Sequence, residues 1–146
     1  MQLPPHSKEF LRLLTSHKIN YLLVGGYAVG YYGYPRATID IDIWIERSEE
    51  NAQKVVTMLE EFGFTDADLK SDWFLLDNKN FRMGMPPNRI ELLTGISGVN
   101  FSDCRERGVA AEIDGIPVVV IGLEDLKRNK AASGRNKDLE DLRNLP

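Results

Sequence analysis

The stretch Thr38-Ile39-Asp40-Ile41-Asp42-Ile43-Trp44-Ile45 alternates apolar and polar side chains with a strict period of two, the pattern of a β-strand with two unlike faces. Successive side chains of a strand point to opposite sides, so Ile39, Ile41, Ile43 and Ile45 share a face that must be core. Asp40 and Asp42 share the other face with Thr38 and Trp44. Two residues apart on a strand, the two aspartates have Cα atoms roughly 6–7 Å apart at ~3.3 Å rise per residue. Their oxygens are then able to converge on one ion or a pair of ions. Aspartate is a poor strand former, so two of them in an isoleucine-rich strand call for a reason. Either they form the wet face of an edge strand, or they hold a hard cation such as Mg²⁺ or Mn²⁺, which takes one or two carboxylates and leaves positions for water and substrate phosphate. Without a cation the pair repels, and one carboxyl must hold its proton more tightly.

Two flanking segments sharpen that choice. Upstream, Tyr21-Leu22-Leu23-Val24 reads as a short buried strand running into Gly25-Gly26 and then a short helix over Tyr27 to Tyr32. Two glycines at a strand-to-helix turn let the backbone approach a ligand closely and suit a phosphate, although a plain turn has the same look. Downstream, Arg89-Ile90-Glu91-Leu92-Leu93 repeats the alternation, with Ile90 and Leu92 inward and Glu91 outward. If this strand lies beside the first, three carboxylates meet on one sheet surface. That arrangement serves two-metal displacement at phosphorus; its alternative is a surface Glu91 paired with Arg89 or another base.

The remaining elements alternate. Ser7 to Lys18 is expected to be an amphipathic helix, and Ser48 to cap a helix over Glu50 to Glu61 that stops at Gly63. Asp66 to Lys70 reads as one helical turn, Asn80 to Met83 as a strand joined to the Glu91 strand through Met85-Pro86-Pro87, and Asn100 to Arg107 as a short helix. Ala110 to Ile113 and Ile116 to Ile121 form a hairpin around Asp114-Gly115, and Glu124 to Ala132 and Lys137 to Leu145 are two charged helices. Interleaved helices and short strands give an α/β (α+β) class, with a small mixed β-sheet flanked by helices.

The chain has 146 residues, of which 42% are hydrophobic and 27% charged, and it is expected to form one domain over residues 1–146. No apolar run reaches the ~20 residues that cross a bilayer, and no signal peptide is evident, so no membrane association and a cytoplasmic location are expected. A single cysteine, Cys104, excludes an internal disulfide and a cysteine-based zinc site. The net charge of −4 argues against a strongly basic nucleic-acid binder while leaving room for a local basic patch.

Gly25-Gly26 followed by Arg36-x-Thr38-x-Asp40-Ile41-Asp42-Ile43 resembles the signature of the DNA polymerase β-like nucleotidyltransferase superfamily. In particular the chain is similar to the small prokaryotic nucleotidyltransferases of toxin–antitoxin and abortive-infection systems. Pro86 to Thr94, the apolar strand Ile116 to Ile121, and the tail Leu126-Lys127-x-x-Lys130 with Arg135-x-Lys137-Asp138-Leu139 extend the likeness over roughly residues 20 to 145. The resemblance implies a polymerase β-like fold with C-terminal helices. It implies an NTP substrate and a hydroxyl acceptor on RNA, protein or a small molecule. Asp40, Asp42 and Glu91 would be the catalytic and metal-binding carboxylates, with Gly25 and Gly26 against the triphosphate. Relatives often carry Asp where this chain has Glu91, and Ser where it has Gly26. Arg36 and Thr38, beside the aspartates, are nucleotide-binding candidates, Arg36 being equally able to form a salt bridge. Lys127, Lys130 and Lys137 of the basic tail either reach the nucleotide phosphates or line a solvated helix face. The alternative function is a catalytically weak member acting through contacts with a toxin–antitoxin partner protein. A glycosyltransferase would need a larger sugar-nucleotide domain, and an aspartate-nucleophile phosphatase would carry its Asp pair directly after the first strand.

Overall fold

The computed structural model describes residues 2–34, 40–66, 68–85 and 89–146. Helix α1 (Pro5–Ser16) starts two residues before the expected helix, because Pro5 at its first turn needs no amide partner there. It buries Phe10, Leu11 and Leu14. Strand β1 (Tyr21–Val24) is buried throughout and leads directly into α2 (Gly25–Tyr31), which begins at the glycines themselves. Strand β2 (Asp40–Ile45) follows. Residues 38 and 39 of the expected strand lie outside the described residues.

Helix α3 (Glu49–Phe62) forms as its caps predict. The Ser48 hydroxyl accepts from the Asn51 amide at 3.2 Å, and the helix ends on Gly63 in the left-handed conformation, φ 106°. Buried Asn51 ties this helix to the β1 approach, accepting from Asn20 N at 2.8 Å and donating to the Asn20 and Glu46 carbonyls at 3.1 and 2.9 Å. The helical turn expected at Asp66 to Lys70 falls partly outside the described residues; a Leu69 N to Asp66 O bond of 3.1 Å closes a turn there. A 3-10 turn not foreseen from the sequence occupies Ser71–Leu75 and buries Phe74.

Strands β3 (Asn80–Met83), β4 (Arg89–Leu93), β5 (Val109–Ile113) and β6 (Ile116–Val120) complete a six-stranded sheet in the order β3-β4-β2-β1-β6-β5. The pairs β2/β4 and β1/β6 are parallel, the other three antiparallel, so the sheet is mixed as expected. Helix α4 (Phe101–Glu106) precedes β5, and α5 (Leu123–Ser133) and α6 (Asn136–Asn144) close the chain, packed on each other. Ile41, Ile43, Ile45, Ile90 and Leu92 join Phe10, Leu14, Val55, Met58 and Leu59 in one buried cluster, which leaves the opposite face of β2 and β4 to the carboxylates. Trp44 on that face is buried too, its ring edge-to-face with Phe101 at 5.2 Å, closing one end of it. Tyr31 at the end of α2 is exposed, whereas Tyr32 turns inward, its hydroxyl donating to Ile121 O at 2.7 Å. Among the described residues no helix is long and apolar enough to cross a membrane.

Candidate active site

Register decides what meets what. In the parallel β2/β4 pair, Asp42 lies opposite Glu91 and Asp40 opposite Arg89; in the antiparallel β3/β4 pair, Arg82 lies opposite Glu91. All five side chains therefore project from one face of the sheet. Asp40, Asp42 and Glu91 each bring a carboxylate oxygen within 4.8 Å of the others. The three acids singled out from the sequence are thus neighbours in space.

They are not equally placed. Asp40 is held by a two-pronged bond from Arg89, Nε to Oδ1 at 2.9 Å and Nη2 to Oδ2 at 3.1 Å. Glu91 receives a single bond from Arg82 Nε at 3.2 Å and is buried, where the sequence suggested an outward-facing carboxylate. The cause is the edge strand β3, which lays Arg82 beside it. Asp42 has the weakest compensation. Its Oδ1 is buried with no hydrogen-bond partner among the described residues. Burial above all, then the neighbouring Glu91 and Asp40 carboxylates, push its pKa up to about 7, against a smaller opposing pull from Lys130.

Gly25 explains the tight turn beside this centre. Its φ is +68°, a conformation that side chains rarely adopt, and a Cβ built there would overlap Asp42 Oδ2. The glycine backbone therefore packs directly on the carboxylate. Val24, Gly25, Gly26, Asp40 and Asp42 line a cleft of about 510 Å³ whose other residues include Lys130, Arg135 and Lys137 from the C-terminal helices. Asn78, Gly95, Ile96 and Ser97 are shared with a second hollow of about 650 Å³ at the Trp44 end.

Of the basic tail, Lys130 and Lys137 reach the cleft, whereas Lys127 is not among its lining residues; its ammonium lies 3.7 Å from Glu124 on the same helix. Lys130 lines the cleft but is buried, bonded to Asp138 at 3.0 Å and Asp141 at 3.1 Å. Ser133 and Arg135 also donate to Asp138. Arg36 and Thr38 lie outside the described residues. Sequence reasoning missed the asparagines of the cleft, Asn78, Asn80 and Asn129, which carry no periodic or motif signal. Of the bases offered for Glu91 in the alternative reading, Arg89 or another, the register gives Arg89 to Asp40 and supplies Arg82 to Glu91.

The donor set fits a hard divalent cation. All three ligands are carboxylate oxygens, and oxygens bound to one Mg²⁺ at ~2.1 Å sit about 3–4 Å apart, so a spread of 4.8 Å closes with a small carboxylate rotation or spans two ions. The buried unpaired oxygen of Asp42 is the atom most in need of such a partner.

A scan of protein-family models finds no match, and a search of curated proteins finds none either. Among solved structures, the chain is similar to a crystal structure from Thermotoga maritima described as a "putative nucleotidyltransferase", at 20% identity and a TM-score of 0.65, over 94% of this chain and 88% of that one. The two proteins share a fold: a nucleotidyltransferase-like mixed sheet with flanking helices.

Proposed function

We propose that this protein is a divalent-metal-dependent nucleotidyltransferase that moves a nucleoside monophosphate from an NTP to a hydroxyl acceptor. One observation carries the reading: three carboxylates converge within 4.8 Å beside a glycine turn, and two of them, Asp40 and Asp42, line a cleft. A likeness in fold to the Thermotoga protein is consistent with it.

In this reading Asp40, Asp42 and Glu91 hold Mg²⁺ or Mn²⁺. When bound, the metal supplies positive charge for the phosphates and lowers the pKa of the acceptor hydroxyl. Gly25 and Gly26 offer backbone with no side chain in the way, so the triphosphate lies close to the aspartates. Lys137 and Arg135 contact its outer phosphates, a role for which Arg36 and Thr38 remain candidates from the sequence. Lys130 acts at shorter range through its field on Asp42, its own hydrogen bonds being given to Asp138 and Asp141. Glu91 orients the acceptor hydroxyl and helps remove its proton. The acceptor oxygen then bonds to the α-phosphorus, the bond to the bridging oxygen breaks, and pyrophosphate leaves. The hollow at the Trp44 end gives the second substrate room beside the first.

Incubation with each α-labelled NTP and Mg²⁺, with and without total RNA or cell protein, tests this. Label should pass to an acceptor with wild type and not with Asp42→Asn. Glu91→Ala should cut turnover while leaving NTP affinity little changed, since its contribution belongs to the transition state. Absence of both NTP binding and transfer in every combination would leave the interaction-module reading, with a toxin–antitoxin partner protein, in its place.

A further inference from the structure

Both oxygens of Asp40 are engaged by one guanidinium, and the sheet itself arranges it. Arg89 sits directly across from Asp40 in the parallel pair, so its backbone is fixed by the ladder while its side chain lies along the shared face. The fork is of the strong, planar kind, at 2.9 and 3.1 Å, with the two side chains only 29% and 22% exposed. The second arginine is different in kind: Arg82 makes one bond to Glu91 at 3.2 Å and is 59% exposed.

Formal charge gives the pairing a consequence. Three carboxylates and two guanidiniums on this face sum to −1. A divalent cation on the same oxygens would bring the face to +1 with both arginines still in place. A cation drawing on Asp40 and a guanidinium held by both oxygens of Asp40 repel each other at close range, and the fork is the part that is able to move. An NTP, which brings several negative charges to the cleft edged by Asp40, offers a planar guanidinium new oxygen acceptors of the same geometry.

We propose that Arg89 is the internal counter-ion of this site: it occupies Asp40 in the metal-free protein, yields the carboxylate to the divalent cation, and on release binds the triphosphate. The inference rests on the metal-dependent reading above. Arg89 thereby couples the two ligands. Metal alone must displace it at a cost, and metal with nucleotide gives it somewhere to go, so each ligand binds better in the presence of the other.

Calorimetric titration of Mn²⁺, with and without a non-hydrolysable NTP analogue, tests it on the full chain. Without nucleotide, Arg89→Gln should bind Mn²⁺ on the order of tenfold more tightly than wild type, the scale of one charge-assisted contact removed from competition. The enhancement of Mn²⁺ affinity by the analogue should shrink in the same variant. Arg89→Lys, which keeps the charge and loses the fork, should fall between the two and serves if the glutamine variant folds poorly. Arg82→Gln should change Mn²⁺ affinity less, and Arg47→Gln, a 43%-exposed arginine beside Asp77, not at all. Wild-type or weaker Mn²⁺ affinity in both Arg89 variants overturns the inference while leaving the metal site intact, provided that Asp42→Asn abolishes binding. No Mn²⁺ binding by wild type overturns the metal-dependent reading and this inference with it.

Discussion

Two acid clusters contribute to the lining of one cleft and stand in opposite states. Around Lys130, Asp138 and Asp141 are almost fully buried, and every charge has a partner: Lys130 bonds both aspartates, and Ser133 and Arg135 add to Asp138. Burial raises the Asp138 pKa, but those bonds outweigh it and hold the group at about 2. Around Asp42 the balance is reversed. Burial and two neighbouring carboxylates lift its pKa to about 7, and one oxygen is left without a hydrogen bond among the described residues. The first cluster has what it needs from the protein and ties α5 to α6. The second is short of positive charge, which is the state expected of residues whose partner comes from solution.

The contrast breaks most visibly at Lys130. Removing it leaves two buried aspartates facing each other, and Lys130→Met should destabilise the protein by about 3–5 kcal/mol in urea unfolding. A loss under 1 kcal/mol would mean that the cluster is open to water. Next in size is Gly25→Ala, which places a methyl against Asp42 and forces an L residue to φ +68°. About 2–4 kcal/mol of stability should go, and metal binding with it; normal Mn²⁺ affinity in this variant would show that the turn does not shape the site.

The clusters should also answer pH in separate windows. Asp138, depressed to about 2, adds stability that is present above the unfolded value near 4 and lost as pH falls through 2. Asp42, raised to about 7, works the other way. The unfolded chain gives up this proton near pH 4 and the folded chain only near 7, so stability falls as pH rises through that interval and stays low above it. Asp42→Asn should therefore flatten the metal-free stability profile between about pH 4 and 7 and make the protein more stable than wild type at pH 8, on the order of 1–2 kcal/mol. A profile unchanged by the substitution would remove Asp42 as the strained group. The smallest effect belongs to Lys127, whose ammonium lies 3.7 Å from exposed Glu124; Lys127→Ala should change stability by less than ~0.5 kcal/mol and leave the NTP KM within twofold.

Much of this could be read from the sequence because the signals are local. The isoleucine alternation defines β2 and puts both aspartates on one face; the same period in Arg89 to Leu93 puts Glu91 outward from the core. Ser48 and Gly63 mark α3. What local pattern could not supply was partnership across the sheet. That Asp42 faces Glu91, and that Arg89 belongs to Asp40, follow from parallel pairing of two strands separated by a helix and a third strand. Lys130 looked like part of a solvated tail because its partners, Asp138 and Asp141, come from the next helix, and only the folding of α6 onto α5 buries all three. Ser71–Leu75 lacks the length for any periodicity; its aromatic residues turn inward as a single 3-10 turn.

The central claim is that the Asp42 cluster is completed by a divalent cation and the Lys130 cluster is not. Thermal unfolding at pH 7.5 with and without saturating Mn²⁺ tests it most directly, on wild type, Asp42→Asn and Asp138→Asn. A ligand that binds only the native state stabilises it by about 2.7 kcal/mol at a hundredfold excess over Kd. Wild type and Asp138→Asn should both gain in melting temperature when Mn²⁺ is added, Asp138→Asn from a lower starting point, and Asp42→Asn should gain nothing. An equal gain in Asp42→Asn, or none in wild type, would contradict it.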